Sequence, residues 1–170
     1  MERKNITLIG MAGVGKSSVG ESLAKSLGYA FVDTDKQMEN ERGKSLQKIL
    51  DEVGEEKFLT IEATAVRSAL NAENIVLAPG GSIVYSKDAV ALLKKASIII
   101  YLSARAETIE KRIDTASRGI IGLKGKSFVE LYAERKILYE KAADIVINGE
   151  EKSPREIAEE ILEKIITKIK

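Results

Sequence analysis

Gly10-Met11-Ala12-Gly13-Val14-Gly15-Lys16-Ser17 decides the reading of this chain. The spacing is glycine, four residues, then Gly-Lys-Ser, and the flanks give it meaning. A strand-like apolar run, residues 6–9, leads in, and a helix-like run with Val19, Leu23 and Leu27 on one face leads out. A strand, a tight glycine-rich turn and a helix N-terminus aim several backbone N–H groups at one point, where the helix dipole adds partial positive charge. Such a cradle suits nucleotide phosphates, with Gly10, Gly13, Val14, Gly15, Lys16, Ser17 and Ser18 as its expected members. Lys16 can reach the β- and γ-phosphates, and the Ser17 hydroxyl can serve Mg²⁺. The alternative, a plain glycine-rich turn, leaves the joint placement of Lys16 and Ser17 unexplained.

Outward from this loop, short Ile- and Val-rich runs at residues 6–9, 30–32, 75–78, 98–102 and 145–147 read as strands buried on both faces. Helical patterns at 15–27, 45–53, 55–70, 89–95, 106–113, 127–142 and 154–168 separate them. The alternation predicts an α/β fold with a five-stranded parallel sheet covered on both sides. Right-handed crossovers bring the phosphate loop and the other strand ends to one edge, where chemistry belongs. Two regions fall outside this scheme. Residues 35–70 hold too many helices for one crossover and read as a helical insertion. Residues 115–126, rich in Gly and Lys, read as a mobile lid.

Composition narrows the chemistry. The chain has 170 residues, a length that suits one domain, and a formal net charge of +1, which points to neither nucleic acid nor membrane as partner. There is no cysteine and no histidine, so any general base is Asp, Glu, Lys or Tyr. The longest apolar stretch, residues 96–102, is interrupted by Ser97 and is too short to span a bilayer. A cytoplasmic, monomeric enzyme with a small-molecule substrate is expected.

Phe31-Val32-Asp33-Thr34-Asp35 follows the second strand. Alternation in an extended chain predicts both carboxylates on one side. One can hold Mg²⁺ through water and the other can orient or deprotonate an attacking hydroxyl. Capping of the next helix could instead explain one of them. Pro79-Gly80-Gly81-Ser82 follows the third strand, where two glycines permit close approach to a ligand. Arg118 falls in the lid and Arg135 in the helix beyond it, suited to phosphate and to an anionic substrate respectively. Asp51-Glu52-Val53-Gly54 has the form of a GTPase switch but ends an amphipathic helix, so Gly54 reads as its terminator.

Together these residues resemble the shikimate kinase family over essentially the whole chain. The resemblance is carried by the phosphate loop, Phe31-Val32-Asp33-Thr34-Asp35, Gly43-Lys44-Ser45, Gly54-Glu55 with Phe58, Ile61-Glu62, Gly80-Gly81, Arg118, and Glu134-Arg135 with Tyr139 and Ala143-Asp144. It implies a P-loop kinase of the nucleoside-monophosphate-kinase type, a three-layer α/β/α fold with sheet order 2-3-1-4-5, and transfer of the ATP γ-phosphate to the 3-hydroxyl of shikimate. By position, Lys16 and Ser17 would serve phosphate and Mg²⁺, and Asp33 the metal through water. Asp35 would bind substrate hydroxyls and is the candidate base. Gly80, Gly81 and Ser82 would line the acceptor pocket. Arg118 would reach ATP, Arg135 the substrate carboxylate, and Arg112 and Pro154 the adenine.

Three positions depart from the family pattern. Leu59 stands where the family has a second carboxylate-binding arginine, a charge-assisted contact worth roughly 1.5–3 kcal/mol per bond. Lys57 is about 200° around the helix from it, and Arg67 about 12 Å along the axis. Ser82 replaces a third glycine, and Arg118-Gly119-Ile120-Ile121 replaces Arg-Pro-Leu-Leu. All three spare the ATP machinery. Shikimate is the expected acceptor. A same-fold kinase of another hydroxy acid or hydroxy-amino acid, and a non-catalytic nucleotide-binding module, are the alternatives.

Overall fold

The computed structural model describes residues 4–113 and 119–169; Arg118 and the first residues of the expected lid lie outside the described residues. Five strands form one parallel sheet: β1 (Asn5–Ile9), β2 (Ala30–Asp33), β3 (Ile75–Ala78), β4 (Ser97–Ser103) and β5 (Ile145–Asn148). Their order is β2-β3-β1-β4-β5, as the resemblance implies. The central strands are buried along nearly their whole length, whereas β5 at the edge alternates buried and exposed residues. Polar residues inside the sheet find partners. The Thr7 hydroxyl donates to Ser97, whose hydroxyl donates to the Leu93 carbonyl, at 2.8 and 2.9 Å.

Helix α1 (Lys16–Leu27) packs against β2, β3 and α8 (Pro154–Ile169). Helices α5 (Lys87–Ala96) and α7 (Phe128–Ala142) pack against β4. Gly20 lies in the middle of α1, where a β-carbon would run into the Phe31 ring of β2. The helix and strand therefore approach more closely than any other residue there would allow. The helix gives up about 1 kcal/mol of propensity for it.

Between β2 and β3 lie α2 (Thr34–Arg42), α3 (Leu46–Val53) and α4 (Glu55–Ala69). They share a small core of their own, built from Met38, Leu46, Ile49 and Phe58, to which Ile121 is added from beyond α6 (Ala106–Glu110). Gly54, at φ 79°, ends α3 and starts α4, so the Asp51–Gly54 segment is a helix terminus as expected. Two expectations need correction. The helix predicted over 106–113 stops at Glu110, because the chain must leave it to lay Ile113 against Gly13 of the phosphate loop. Strand alternation does not carry through to Asp35. Asp33 caps α2 by accepting from the Lys36 N–H, so Asp35 lies in the first helical turn. No helix among the described residues is long and apolar enough to cross a membrane.

Candidate active site

The C-terminal ends of β1, β2 and β3 converge on one edge of the sheet. The N-terminus of α1 has no side-chain cap; its N-cap is Gly15, at φ 106°. Its first N–H groups are thus available to an anion. A cavity of about 250 Å³ opens in front of them, lined by Gly13, Gly15, Lys16, Ser17, Ser18 and Arg112 among others. Gly10 must be glycine, since at φ 148° a β-carbon would stand 2.6 Å from the Leu102 carbonyl oxygen. The Lys16 ammonium donates to the carbonyls of Gly10 and Met11 at 2.8 and 3.0 Å, which folds it over the loop. Val14 is buried in the core, and so supports the loop from behind. The Ser17 hydroxyl donates to Asp33 Oδ2 at 2.7 Å.

Asp35 and Ala12 line this cavity and also a second, inner one of about 20 Å³. The inner walls include Phe58, Glu62, Gly80, Gly81, Ser82 and Arg135. Gly80 has no room for a side chain, because Glu62 Oε1 and Asp35 Oδ1 crowd the space a β-carbon would fill. Glu62 is fully buried and held by the Ser82 hydroxyl at 2.8 Å. Burial first, and then the neighbouring Asp35, push its carboxyl up to about 8.

Arg135 on α7 closes the inner cavity and is 2% exposed. Its guanidinium donates to the Ile121 carbonyl at 2.7 Å and to the Tyr85 hydroxyl at 3.4 Å, and it lies 5.3 Å from the Tyr85 ring centroid. It has no carboxylate in ion-pair range among the described residues. A buried arginine in that situation is costly and suits an anionic ligand. Tyr139, one turn further along α7, donates to the Gly81 carbonyl at 2.7 Å and fixes the glycine turn. The described part of the expected lid is fastened down. Ile121 is buried against α2–α4, and the Gly122 N–H donates to Glu55 at 3.0 Å.

The structure therefore gathers Lys16, Ser17, Asp35, Gly80, Gly81, Ser82 and Arg135 at one edge, with Asp33 joined through Ser17 and Arg112 on the phosphate side. Pro154 opens α8, behind the Ser153 cap, and is not among the residues lining either cavity. Glu62 was no candidate from residue type alone. The signal was available: an acid one turn from Phe58 and one turn from Val66, on the buried stripe of α4.

A phosphate cradle and a polar inner cavity share a wall at the edge of a sheet of this order, and the chain is accordingly a P-loop kinase of small-molecule type. The family model described as shikimate kinase matches residues 12–166. The shikimate kinase of Persephonella marina is 36% identical over 163 residues, covering 95% of this chain and 99% of that protein. That of Caldanaerobacter subterraneus subsp. tengcongensis is 37% identical over 166 residues, covering 96% of each. Among solved structures, shikimate kinase from Acinetobacter baumannii in complex with shikimate matches with a TM-score of 0.88 at 28% identity, over 97% of this chain and 94% of that one. The Aquifex aeolicus enzyme matches at 0.85 and 30% identity, over 97% and 98%. The chain belongs to the shikimate kinase family.

Proposed function

We propose that this chain transfers the γ-phosphoryl group of MgATP to the 3-hydroxyl of shikimate. The observation that carries the reading is the shared wall: Asp35 lines both cavities, with uncapped α1 on one side and buried Arg135 on the other. A nucleotide tail in the outer cavity and a carboxylated alcohol in the inner one meet at Asp35.

The residues divide the work. The N–H groups of the loop and Lys16 hold the phosphates and offset the charge that builds during transfer. Ser17 and Asp33 form an oxygen donor pair suited to Mg²⁺, which takes oxygen ligands and keeps several waters. Bound MgATP supplies the transferable group and the metal charge. Asp35 accepts the hydrogen bond of the acceptor hydroxyl, aligns it and takes its proton as phosphoryl transfer proceeds. Gly80 and Gly81 let the acceptor approach the backbone, and Arg135 binds its carboxylate. Arg112 lies on the nucleotide side, and Arg118 is assigned to the phosphates from the lid. The inner cavity holds little more than one water as it stands, so an acceptor enters as residues 119–121 move outward and Arg135 exchanges the Ile121 carbonyl for the carboxylate.

The test is turnover of purified protein with MgATP and a panel holding shikimate, other hydroxy acids and hydroxy-amino acids. Shikimate is expected to be phosphorylated with the highest kcat/KM. Preference for another acceptor, or ATP binding without any turnover, would overturn the assignment.

A further inference from the structure

The two oxygens of Glu62 are in different situations. Oε2 accepts from the buried Ser82 hydroxyl at 2.8 Å. Oε1 is buried and has no hydrogen-bond partner among the described residues. A β-carbon on Gly80 would run into this oxygen and stand 2.7 Å from Asp35 Oδ1, so the two carboxylates meet over the same glycine. Both belong to the wall of the inner cavity. Two acids this close, one of them fully buried, do not both ionise. Glu62, the deeper of the two, keeps the proton. With Oε2 already accepting, that proton belongs on Oε1, the buried oxygen that has no hydrogen-bond partner among the described residues, at the cavity wall that Glu62 shares with Asp35. Buried polar groups rarely go without a partner.

We propose that Ser82 is a positioning residue of the acceptor pocket: its hydroxyl locks the Glu62 carboxyl so that Oε1 donates a hydrogen bond to the acceptor beside Asp35. This rests on the small-molecule kinase reading above and adds the part played by the serine. Its hydroxyl follows directly on the Gly80-Gly81 turn, at the start of the 3-10 segment Gly81–Tyr85, and that turn is itself tied to α7 through Tyr139. The carboxyl is thus oriented by backbone that already shapes the pocket. Without the hydroxyl, the carboxyl of Glu62 is free to swing and its two oxygens become equivalent. The charged and titratable groups facing Glu62 are Asp35 from α2, Lys16 from α1, and Arg135 and Tyr139 from α7.

The experiment compares wild type, Ser82→Ala and Glu62→Gln, measuring KM for shikimate and for ATP between pH 6 and 9.5. Ser82→Ala is expected to raise the shikimate KM about five- to tenfold, the loss of one hydrogen bond's worth of orientation, with a much smaller change for ATP. In wild type the shikimate KM is expected to climb above about pH 8 as Glu62 ionises. The serine bond favours the ionised form, so Ser82→Ala should move that climb to higher pH. Glu62→Gln carries a permanent donor and should flatten it. A Ser82→Ala enzyme with the wild-type shikimate KM and pH profile overturns the proposal. If Ser82→Ala does not fold, a Glu62→Gln enzyme that keeps the wild-type alkaline climb does so. Wild type that phosphorylates no acceptor removes the functional reading first, and this inference with it.

Discussion

The Ser17 hydroxyl donates to Asp33 Oδ2 at 2.7 Å, and the other oxygen of the same carboxylate caps α2 through the Lys36 N–H at 3.1 Å. One side chain thus joins the end of β2 to the starts of two helices. The cap expected of one of the two aspartates falls to Asp33, and its other oxygen stays on Ser17, where the proposed metal role would use it. The two roles separate by mutation. Asn is as good an N-cap as Asp, so Asp33→Asn is expected to keep the stability of the fold while raising the Mg²⁺ concentration for half-maximal activity. Asp33→Ala is expected to raise it too and to cost about 0.5–2 kcal/mol in urea unfolding.

Lys16 is held over the phosphate loop by the Gly10 and Met11 carbonyls. Lys16→Ala is expected to lower kcat by roughly 100- to 1000-fold or more, on the scale of losing a transition-state donor. Calorimetric binding of shikimate alone should persist. A variant with kcat within tenfold of wild type would show that the loop N–H groups suffice.

Asp35 stands between the two cavities. Asp35→Asn keeps the shape and removes the proposed base, so kcat is expected to fall by about 100- to 10,000-fold while ATP affinity is retained. Unchanged kcat would mean that Asp35 has no part in the proton transfer.

Gly80 has no space for a methyl group, with Asp35 Oδ1 2.7 Å from the ideal β-carbon position and Glu62 Oε1 closer still. Gly80→Ala is expected to push the two carboxylates apart and raise the acceptor KM at least tenfold. The overpacking itself should cost about 1–3 kcal/mol of stability in urea unfolding.

Glu62 gives stability a definite pH dependence. Its carboxyl titrates near 4.5 in the unfolded chain and is pushed up to about 8 in the fold by burial and then by Asp35. The folded state therefore holds the extra proton between these values. The contribution is fully present below about 4.5 and is lost as pH rises toward about 8. Glu62→Gln cannot ionise, so its melting temperature relative to wild type should rise steadily from pH 5 to pH 8. A constant difference across that range would place the Glu62 carboxyl outside the buried wall.

The phosphate loop was legible because its signal is local: the glycines, lysine and serine lie in eight consecutive residues between a strand and a helix. The strands were legible as short apolar runs, for burial on both faces leaves no alternation to decode. Asp35 was found with the wrong geometry, since the cap that turns strand into helix acts at Asp33, two residues before the end of the extended segment that alternation assumed. The end of α6 was missed because a tertiary contact, Ile113 on Gly13, overrides a helical pattern. Arg135 could be picked by position, but its depth and its bond to the Ile121 carbonyl depend on packing between distant segments. Glu62 needs the same kind of knowledge, because its protonation follows from what surrounds it.

Gly20 in the middle of α1 has a practical consequence for anyone wishing to toughen this enzyme. Exchanging an internal helix glycine for alanine is an ordinary route to greater heat resistance. Here the added methyl would lever α1 off the Phe31 ring, and the start of that same helix carries Ser17. The edit that looks safest by helix preference would disturb the phosphate loop's serine only about 4.5 Å along the axis, at about 1.5 Å per residue.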